Sequence, residues 1–241
     1  MGKVIAKIDE WLAGFPKSHS AGVFPSGVLD KIEDLVGDNL TQTAETGCGK
    51  SSILFSNLSK QHHIFALDDA ELEDGSSVNF YRKSPLTRLN SIEEHLGASQ
   101  KTLPGFKHSD IPYDCVLIDG AHGWPFPELE YYFFYPHIKK FGFLILDDVN
   151  IPTIGRMADI LIEDDMWELS DLIQGTAVFQ RTSFPTFDPY GDGWWAQKYN
   201  RSRVSRIRDI HLPNKANNDK ISELKLDDKV HGVTNNIITP T

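Results

Sequence analysis

Two near-continuous apolar runs that end in acidic residues constrain the fold of this chain most strongly. They are YDCVLIDG at residues 113–120 and FGFLILDD at residues 141–148. Apolar runs of this length, without polar alternation, are typical of strands that are buried on both faces of a sheet. Helical stretches separate these strands, so the sequence predicts an α/β fold whose sheet is mostly parallel and covered by helices on both faces.

Periodicity and turn residues divide the chain into three predicted parts. Two amphipathic helices are expected to form an N-terminal helical flank at residues 1–37, ahead of an α/β core at residues 38–200. Residues 201–241 are polar with few apolar anchors, which predicts a partly flexible C-terminal extension. Within the core, the other predicted strands are 40–45, 62–69, 167–172 and 176–182, and the predicted helices include 50–60, 85–97 and 154–164.

The composition limits the partners that this chain is expected to have. Its formal net charge of −10 disfavours nucleic acid, because phosphates are contacted mainly by Lys and Arg. The longest strongly apolar run, FGFLIL, is too short to span a bilayer, and the N-terminus lacks the apolar centre of a signal peptide. Two cysteines indicate no disulfide framework. We therefore expect a soluble cytoplasmic protein without nucleic-acid or membrane partners.

The glycine-rich stretch TAETGCGKSS at residues 43–52 admits two interpretations. Read from Ala44, it is A-x-x-x-x-G-K-S, a relaxed phosphate loop in which Lys50 would clamp a phosphate and Ser51 would bind magnesium. Read from Glu45, it is E-x-G-x-G, the acidic glycine-rich turn with which other α/β enzymes hold a nucleoside. The residues of this stretch alone leave both interpretations open.

Acidic residues follow four of the predicted strands. The carboxyl ends of parallel strands meet at one edge of a sheet, where ligands bind. Crowded carboxylates there are costly unless sugar hydroxyls, a cation or water satisfies them. Asp68 follows Glu45 by 23 residues, close to the spacing at which an acid reaches ribose hydroxyls, with Asp69 as the alternative. A shared nucleoside site is predicted, although each acid could instead cap the next helix.

Three motifs together resemble the class I S-adenosylmethionine-dependent methyltransferases. They are ETGCGKSS at 45–52, IDGAHGWPFPELEYYFF at 118–134 and FGFLILDDVNIPTIG at 141–155. They are similar to the motifs E-T-G-C-G-x-S, I-D-G-x-H-x-[FYW]-P and G-G-x-[LI]-x-[LIV]-D-D of the small-molecule group in that family. The resemblance implies a Rossmann-like fold with a mostly parallel seven-stranded sheet, S-adenosylmethionine as cofactor and a small-molecule acceptor.

The resemblance also implies a set of cofactor-binding residues. Glu45 would lie near the methionine end of the cofactor, and Gly47 and Gly49 would let the backbone approach it closely. Asp68 would accept hydrogen bonds from the ribose hydroxyls. Asp119 would lie beside the sulfonium that carries the methyl group, and is also a candidate catalytic residue.

Two mechanisms, a general base and a bound metal ion, could remove a proton from a hydroxyl acceptor. His122 lies three residues after Asp119, and its ordinary pKa suits a general base. Alternatively Asp119, Asp147 and Asp148 would hold Mg²⁺ or Ca²⁺, because they resemble the Asp…Asp-Asn arrangement of the catechol and caffeoyl-CoA O-methyltransferases. Both mechanisms predict an O-methyltransferase acting on a small molecule.

Two further functions and the role of one segment remain open from the sequence. One is a P-loop NTPase or kinase that uses Lys50 and Ser51, and another is a cofactor-binding module without catalysis. The segment PYGDGWWAQKYNR at residues 189–201 predicts either a lid over the acceptor or a contact between copies in a homo-oligomer.

Overall fold

The chain forms one seven-stranded sheet with the strand order β3-β2-β1-β4-β5-β7-β6. The computed structural model describes residues 3–14, 24–67, 71, 75–188 and 197–202. The strands are β1 (Leu40–Thr46), β2 (Ser59–Ala66), β3 (Ile92–Leu96), β4 (Tyr113–Ile118), β5 (Ile138–Leu146), β6 (Trp167–Ile173) and β7 (Thr176–Arg181). Strands β1 to β5 pair in parallel, whereas β7 is antiparallel to both β5 and β6.

Helices cover both faces of the sheet. They are α1 (Val4–Ala13), α2 (Ser26–Val36), α3 (Lys50–Leu58), α4 (Ser77–Lys83), α5 (Ser99–Thr102), α6 (Phe126–Phe134), α7 (Pro152–Glu163) and α8 (Lys198–Ser202). Buried side chains of α1 to α4 pack in the core on one face, and those of α6 and α7 pack on the other. The predicted α/β fold, with a mostly parallel seven-stranded sheet between two helical layers, is confirmed.

Strand β4 shows why its sequence lacks polar alternation. Its six residues are all buried. Cys115 and Leu117 pack into the core on the face of α1 to α4, and Val116 and Ile118 pack into the core on the opposite face. Because successive side chains point to opposite faces of a strand, a strand in the centre of a covered sheet is buried at every position, and the one charged residue of β4, Asp114, pairs with Lys139.

The N-terminal helices share a core with the α/β unit. Ile8 of α1 and Leu29 and Ile32 of α2 are fully buried in the same cluster as Ile53 of α3. The division at residue 37 stays a prediction. Residues 189–196 and 203–241 lie outside the described part of the chain, so the predicted lid or oligomer contact and the C-terminal extension also stay predictions.

The helix predicted at residues 85–97 is wrong. The segment instead contains a short 3₁₀ turn at Leu89–Ser91 and the edge strand β3. Ile92 and Leu96, which both contact the core, are four residues apart, and that spacing places two side chains on one face in a helix and in a strand alike. Pairing with β2 decides the outcome, because it satisfies backbone groups that the edge of the sheet would otherwise leave open.

The strand order reverses beside β1, which lies between β2 and β4. In open parallel sheets, ligands bind beyond the carboxyl ends of the strands at such a reversal. The fold therefore assigns the functional edge before any side chain is considered. Within the described residues, no helix is long and apolar enough to cross a membrane.

A half-buried histidine at the opposite edge of the sheet makes the fold sensitive to acid. His108 stacks on His137 with ring centroids 4.0 Å apart, and its Nδ1 lies 3.2 Å from the Tyr113 hydroxyl. Burial, with smaller effects from His137 and His63, lowers the pKa of His108 to about 4. The unfolded chain, with a pKa near 6.5, therefore binds more protons than the folded chain as the pH falls from 6.5 towards 4.

We predict that His108→Gln reduces the pH dependence of stability. The contribution of neutral His108 is fully present above pH 6.5, and about 1–2 kcal/mol of it is lost between pH 7 and pH 5. Urea denaturation of wild type and variant at both pH values measures this difference. An unchanged difference between the two pH values in the variant would contradict the assignment.

Candidate functional site

Loops at the carboxyl ends of six strands surround one cavity of about 930 Å³. Small-molecule sites are commonly about 300–1,000 Å³, so this cavity suits a nucleoside-sized ligand and an acceptor. Its wall comes from Gly47 and Cys48 after β1, Leu67 after β2, Gly97 to Gln100 after β3, Asp119 to His122 after β4, Asp147, Asp148 and Asn150 after β5, and Gln174 to Thr176 between β6 and β7. Phe24, Pro25 and Val28 of the N-terminal flank close one side.

Backbone hydrogen bonds extend the sheet by one residue past the strand ends. The amides of Gly97, Gly47, Asp119 and Asp147 each donate to a carbonyl of the neighbouring strand, at 2.8, 2.9, 3.2 and 3.1 Å. The first residue of each loop on the cavity floor is consequently held by the same kind of backbone hydrogen bond that holds the sheet. Their first side chains are therefore fixed by the sheet itself.

Gly47 permits the closest contact between two of these loops. Its φ is +81°, and a Cβ on it would lie 2.2 Å from the carbonyl oxygen of Asp119. A side chain would therefore collide with the backbone of the protein, in addition to any collision with the predicted cofactor. Gly49 instead precedes α3, where its amide donates to Ser52 Oγ at 2.9 Å. The described residues that line the cavity include Gly47 but not Gly49.

Glu45 is fully buried beneath the glycine turn. Ser52 Oγ donates to its Oε1, which also lies 3.2 Å from Nε2 of His62. The Nδ1 of His62 in turn lies 2.8 Å from Thr43 Oγ1. This network holds the turn from below, and Glu45 is not among the described residues that line the cavity. Its predicted contact with the methionine end of a cofactor stays a prediction.

Lys50 and Ser51 do not face the cavity. The Lys50 Nζ lies 2.9 Å from Asp9 Oδ1 and donates to Ser26 Oγ, so this lysine ties α3 to both N-terminal helices. Both side chains are buried. A phosphate loop would need this amine free to reach a phosphate, so the arrangement does not favour that interpretation.

The predicted ribose ligand, Asp68, and its alternative, Asp69, lie outside the described residues. Leu67, the last described residue of this segment, lines the cavity. The end of β2 thus reaches the edge of the sheet where a ribose contact would be needed, and the role of Asp68 stays a prediction.

His122 lies between two carboxylates at the cavity. Its Nε2 is 3.6 Å from Asp119 Oδ1 and 3.6 Å from Asp148 Oδ2. Both distances are too long for a hydrogen bond, and this buried nitrogen has no hydrogen-bond partner among the described residues. Asp119 and Asp148 raise the pKa of His122, with Asp119 the larger influence. Burial raises the pKa of Asp119 to about 7, against the opposing effect of His122.

The structure brings together only part of the predicted metal-binding set. Asp119, His122 and Asp148 form a group whose candidate ligand atoms all lie within 4.8 Å of one another. Asp147 lines the cavity outside this group, and its Oδ1 accepts a hydrogen bond from Thr176 Oγ1. Two carboxylates fit a divalent cation such as Mg²⁺ or Ca²⁺, whereas the imidazole fits Mn²⁺ or Zn²⁺ better.

Comparison with known proteins finds a family match over part of the chain. Residues 44–149 match the family described as a methyltransferase domain. These residues carry a methyltransferase domain. No curated protein matches this methyltransferase in sequence.

Solved structures share the fold of this methyltransferase at low sequence identity. The O-methyltransferase TomG from Streptomyces achromogenes, in complex with SAM, is 16% identical with a TM-score of 0.52, covering 76% of this chain and 91% of its own. The O-methyltransferase from Bacillus cereus, in complex with SAH, is 14% identical with a TM-score of 0.53, covering 75% and 90%. The predicted Rossmann-like class I fold is confirmed.

Sequence reasoning missed Glu130 as a residue of the methyltransferase cavity. Glu130 of α6 is buried and lines the cavity below Gly120, where a Cβ would lie 2.6 Å from Glu130 Oε1. Burial raises its pKa. The available signal was an acid within the aromatic stretch of α6, because an acid on a buried helix face needs a specific reason to be there. The loops after β3 and between β6 and β7 carry no comparable signal.

We predict that Gly47→Ala destabilises the methyltransferase by about 2–4 kcal/mol, because the new methyl group meets the Asp119 carbonyl and the backbone is left-handed there. Gly27→Ala is the matched control, since nothing lies within 4 Å of a Cβ at this position in α2. That change should be neutral or stabilising by up to about 1 kcal/mol. Urea denaturation measures both, and equal stabilities of the two variants would contradict the close contact.

Proposed function

We propose that this methyltransferase transfers the methyl group of S-adenosylmethionine to a hydroxyl oxygen of a small molecule. The observation that carries the proposal is the buried Nε2 of His122, which lies between Asp119 and Asp148 at the cavity without a hydrogen-bond partner in the described residues. TomG and the Bacillus cereus protein are described as O-methyltransferases with SAM and SAH, respectively, which supports the same cofactor and acceptor atom here.

The cofactor half of the cavity is assigned to the loops after β1, β2 and β4. Gly47 keeps the floor open, Asp119 supplies a carboxylate for the positively charged sulfonium, and Asp68 remains the proposed ribose ligand. S-adenosylmethionine supplies an activated methyl group and its own leaving group. The protein is therefore left with two tasks, to orient the acceptor in line with the methyl group and to remove its proton.

His122 is the proposed proton acceptor. An imidazole accepts a proton from a hydroxyl group only when it is neutral, and Asp119 and Asp148 stabilise the cation that forms. Because these carboxylates raise the pKa of His122, it is a stronger base than an isolated histidine but is protonated at a higher pH. The cavity that it lines has room for an acceptor beside the cofactor.

Deprotonation assisted by a bound divalent cation is the competing mechanism. Asp119, His122 and Asp148 would hold it, and it would lower the pKa of a coordinated hydroxyl group. The two mechanisms cannot operate together, because His122 Nε2 cannot bind a cation and accept a proton at the same time. Removal of divalent cations therefore distinguishes them.

A non-catalytic cofactor-binding module is the remaining alternative. It would bind S-adenosylmethionine without turnover and would be indifferent to substitution of His122. The homo-oligomer anticipated from the sequence, the small-molecule class of the acceptor and the cytoplasmic location are retained as proposals.

We predict that His122→Gln lowers kcat about 10²–10⁴-fold while cofactor affinity changes little, since the residue acts on the acceptor. The wild-type rate should fall as the pH drops through the raised pKa of His122, with its acid limb above pH 6.5, and the variant should lose this limb. Methyl transfer from labelled S-adenosylmethionine to a panel of phenols and alcohols provides the measurement. His137→Gln is the matched control, and equal rates in both variants would contradict the role of His122.

We further predict that EDTA leaves the rate of the wild-type enzyme unchanged, because His122 needs no metal to accept a proton. The rate is measured before and after chelation and again with added Mg²⁺, Ca²⁺, Mn²⁺ or Zn²⁺. Loss of activity with EDTA and recovery with Mg²⁺ or Ca²⁺ would overturn the base role of His122 and favour a metal-assisted mechanism.

A further inference from the structure

A second group of ligating side chains lies on strands β2 and β3, away from the methyltransferase cavity. His63 of β2 is paired in register with Glu93 of β3, and His95 follows on β3 two residues later. Glu93 and His95 therefore project from the same side of the edge strand. They line a separate depression with Phe106 and Lys107.

The three side chains converge on one point. His63 Nδ1 lies 3.2 Å from His95 Nε2 and 3.6 Å from Glu93 Oε2, and His95 Nε2 lies 3.6 Å from Glu93 Oε1. A tetrahedral zinc ion with bonds of about 2.0–2.2 Å separates its ligand atoms by about 3.3–3.5 Å. The 3.2 Å between the two nitrogens is close to this value, and each nitrogen lies 3.6 Å from a different oxygen of Glu93, so rotation of the carboxylate would bring one oxygen into the set.

The protonation and orientation of the group suit a metal ion. His63 Nδ1 and His95 Nε2 are hydrogen-bonded to each other, so one of them carries a proton that would move to the other ring nitrogen when both bind a metal ion. Gln61 Nε2 donates to Glu93 Oε2 at 3.0 Å, which orients the carboxylate as outer hydrogen bonds orient ligands in metal sites.

We propose that His63, Glu93 and His95 bind a transition-metal ion of the zinc class, with the fourth position open to water. Two nitrogens and one carboxylate favour Zn²⁺, Co²⁺ or Ni²⁺ over Mg²⁺ and Ca²⁺. The ion would cross-link the edge strand β3 to β2, and β3 leads directly into the loop at Gly97 to Gln100 in the wall of the methyltransferase cavity. The site therefore stabilises the part of the sheet edge from which that loop starts.

The affinity should be moderate. The other ring nitrogen of His63, Nε2, is buried without a hydrogen-bond partner among the described residues. Metal-bound histidines usually donate their second N–H, and the lack of that partner typically costs 10–100-fold in affinity. We therefore expect Zn²⁺ to bind about 10–100-fold more weakly than at a site whose histidines all donate their second N–H.

The test is titration of the EDTA-treated full-length protein with Zn²⁺ by calorimetry and with Co²⁺ by visible absorption. In calorimetry, wild type should bind one more equivalent of Zn²⁺ than His95→Gln and Glu93→Gln, or bind that equivalent at least about tenfold more tightly. In visible absorption, wild type should show tetrahedral Co²⁺ bands that His95→Gln lacks. Zn²⁺ should raise the melting temperature of wild type more than that of Glu93→Gln, whereas Mg²⁺ should not.

His122→Gln is the matched control, because it alters the candidate metal group of the cavity and leaves this one intact. It should retain the equivalent that His95→Gln loses, whether or not the proposed methyl transfer is correct. Glu93 is half-exposed, so Glu93→Gln decides the matter alone if His95→Gln does not fold. Wild-type Zn²⁺ binding and wild-type thermal response in Glu93→Gln would overturn the proposal.

Discussion

The contact between the backbone of Gly47 and the carbonyl of Asp119 sets the geometry of the functional edge. A side chain at Gly47 would place its Cβ 2.2 Å from that carbonyl oxygen, so the loops after β1 and β4 can meet only because this residue is glycine. Beneath the contact, the buried pair of Glu45 and His62 holds the turn in place. The position of Asp119, and through it the proposed chemistry, depends on this close approach.

Asp119 links the fold to the electrostatics of the site. The sheet fixes its backbone, and burial raises the pKa of its carboxyl group to about 7. His122 and Asp148 lie beside it. The Nε2 of His122, between the two carboxylates, lacks a hydrogen-bond partner in the described structure and can therefore bind either a proton or a cation. Carboxylates crowded in this way need a positive partner, and a sulfonium, an imidazolium or a metal ion would each provide one.

The sequence predicts the features that depend on residues close together along the chain. The apolar runs in β4 and β5 identify central strands, and the acids after them identify the functional edge. Strand β3 escaped prediction because the spacing of Ile92 and Leu96 suits a helix equally well, and pairing with β2 decides. The ion pair of Lys50 with Asp9 joins residues 41 positions apart, so no local pattern could show that this lysine is already engaged. For the same reason, the sequence did not reveal that Glu45 is buried below the turn.

The most direct test of the account is isothermal titration of the purified protein with S-adenosylhomocysteine, with ATP and Mg²⁺ titrated in parallel. The account predicts one site for S-adenosylhomocysteine and no binding of ATP. Lys50→Met should keep this site, because the lysine amine is bound to Asp9 and Ser26 and lies outside the cavity wall. Binding of ATP with Mg²⁺, lost in Lys50→Met, together with no binding of S-adenosylhomocysteine, would contradict it.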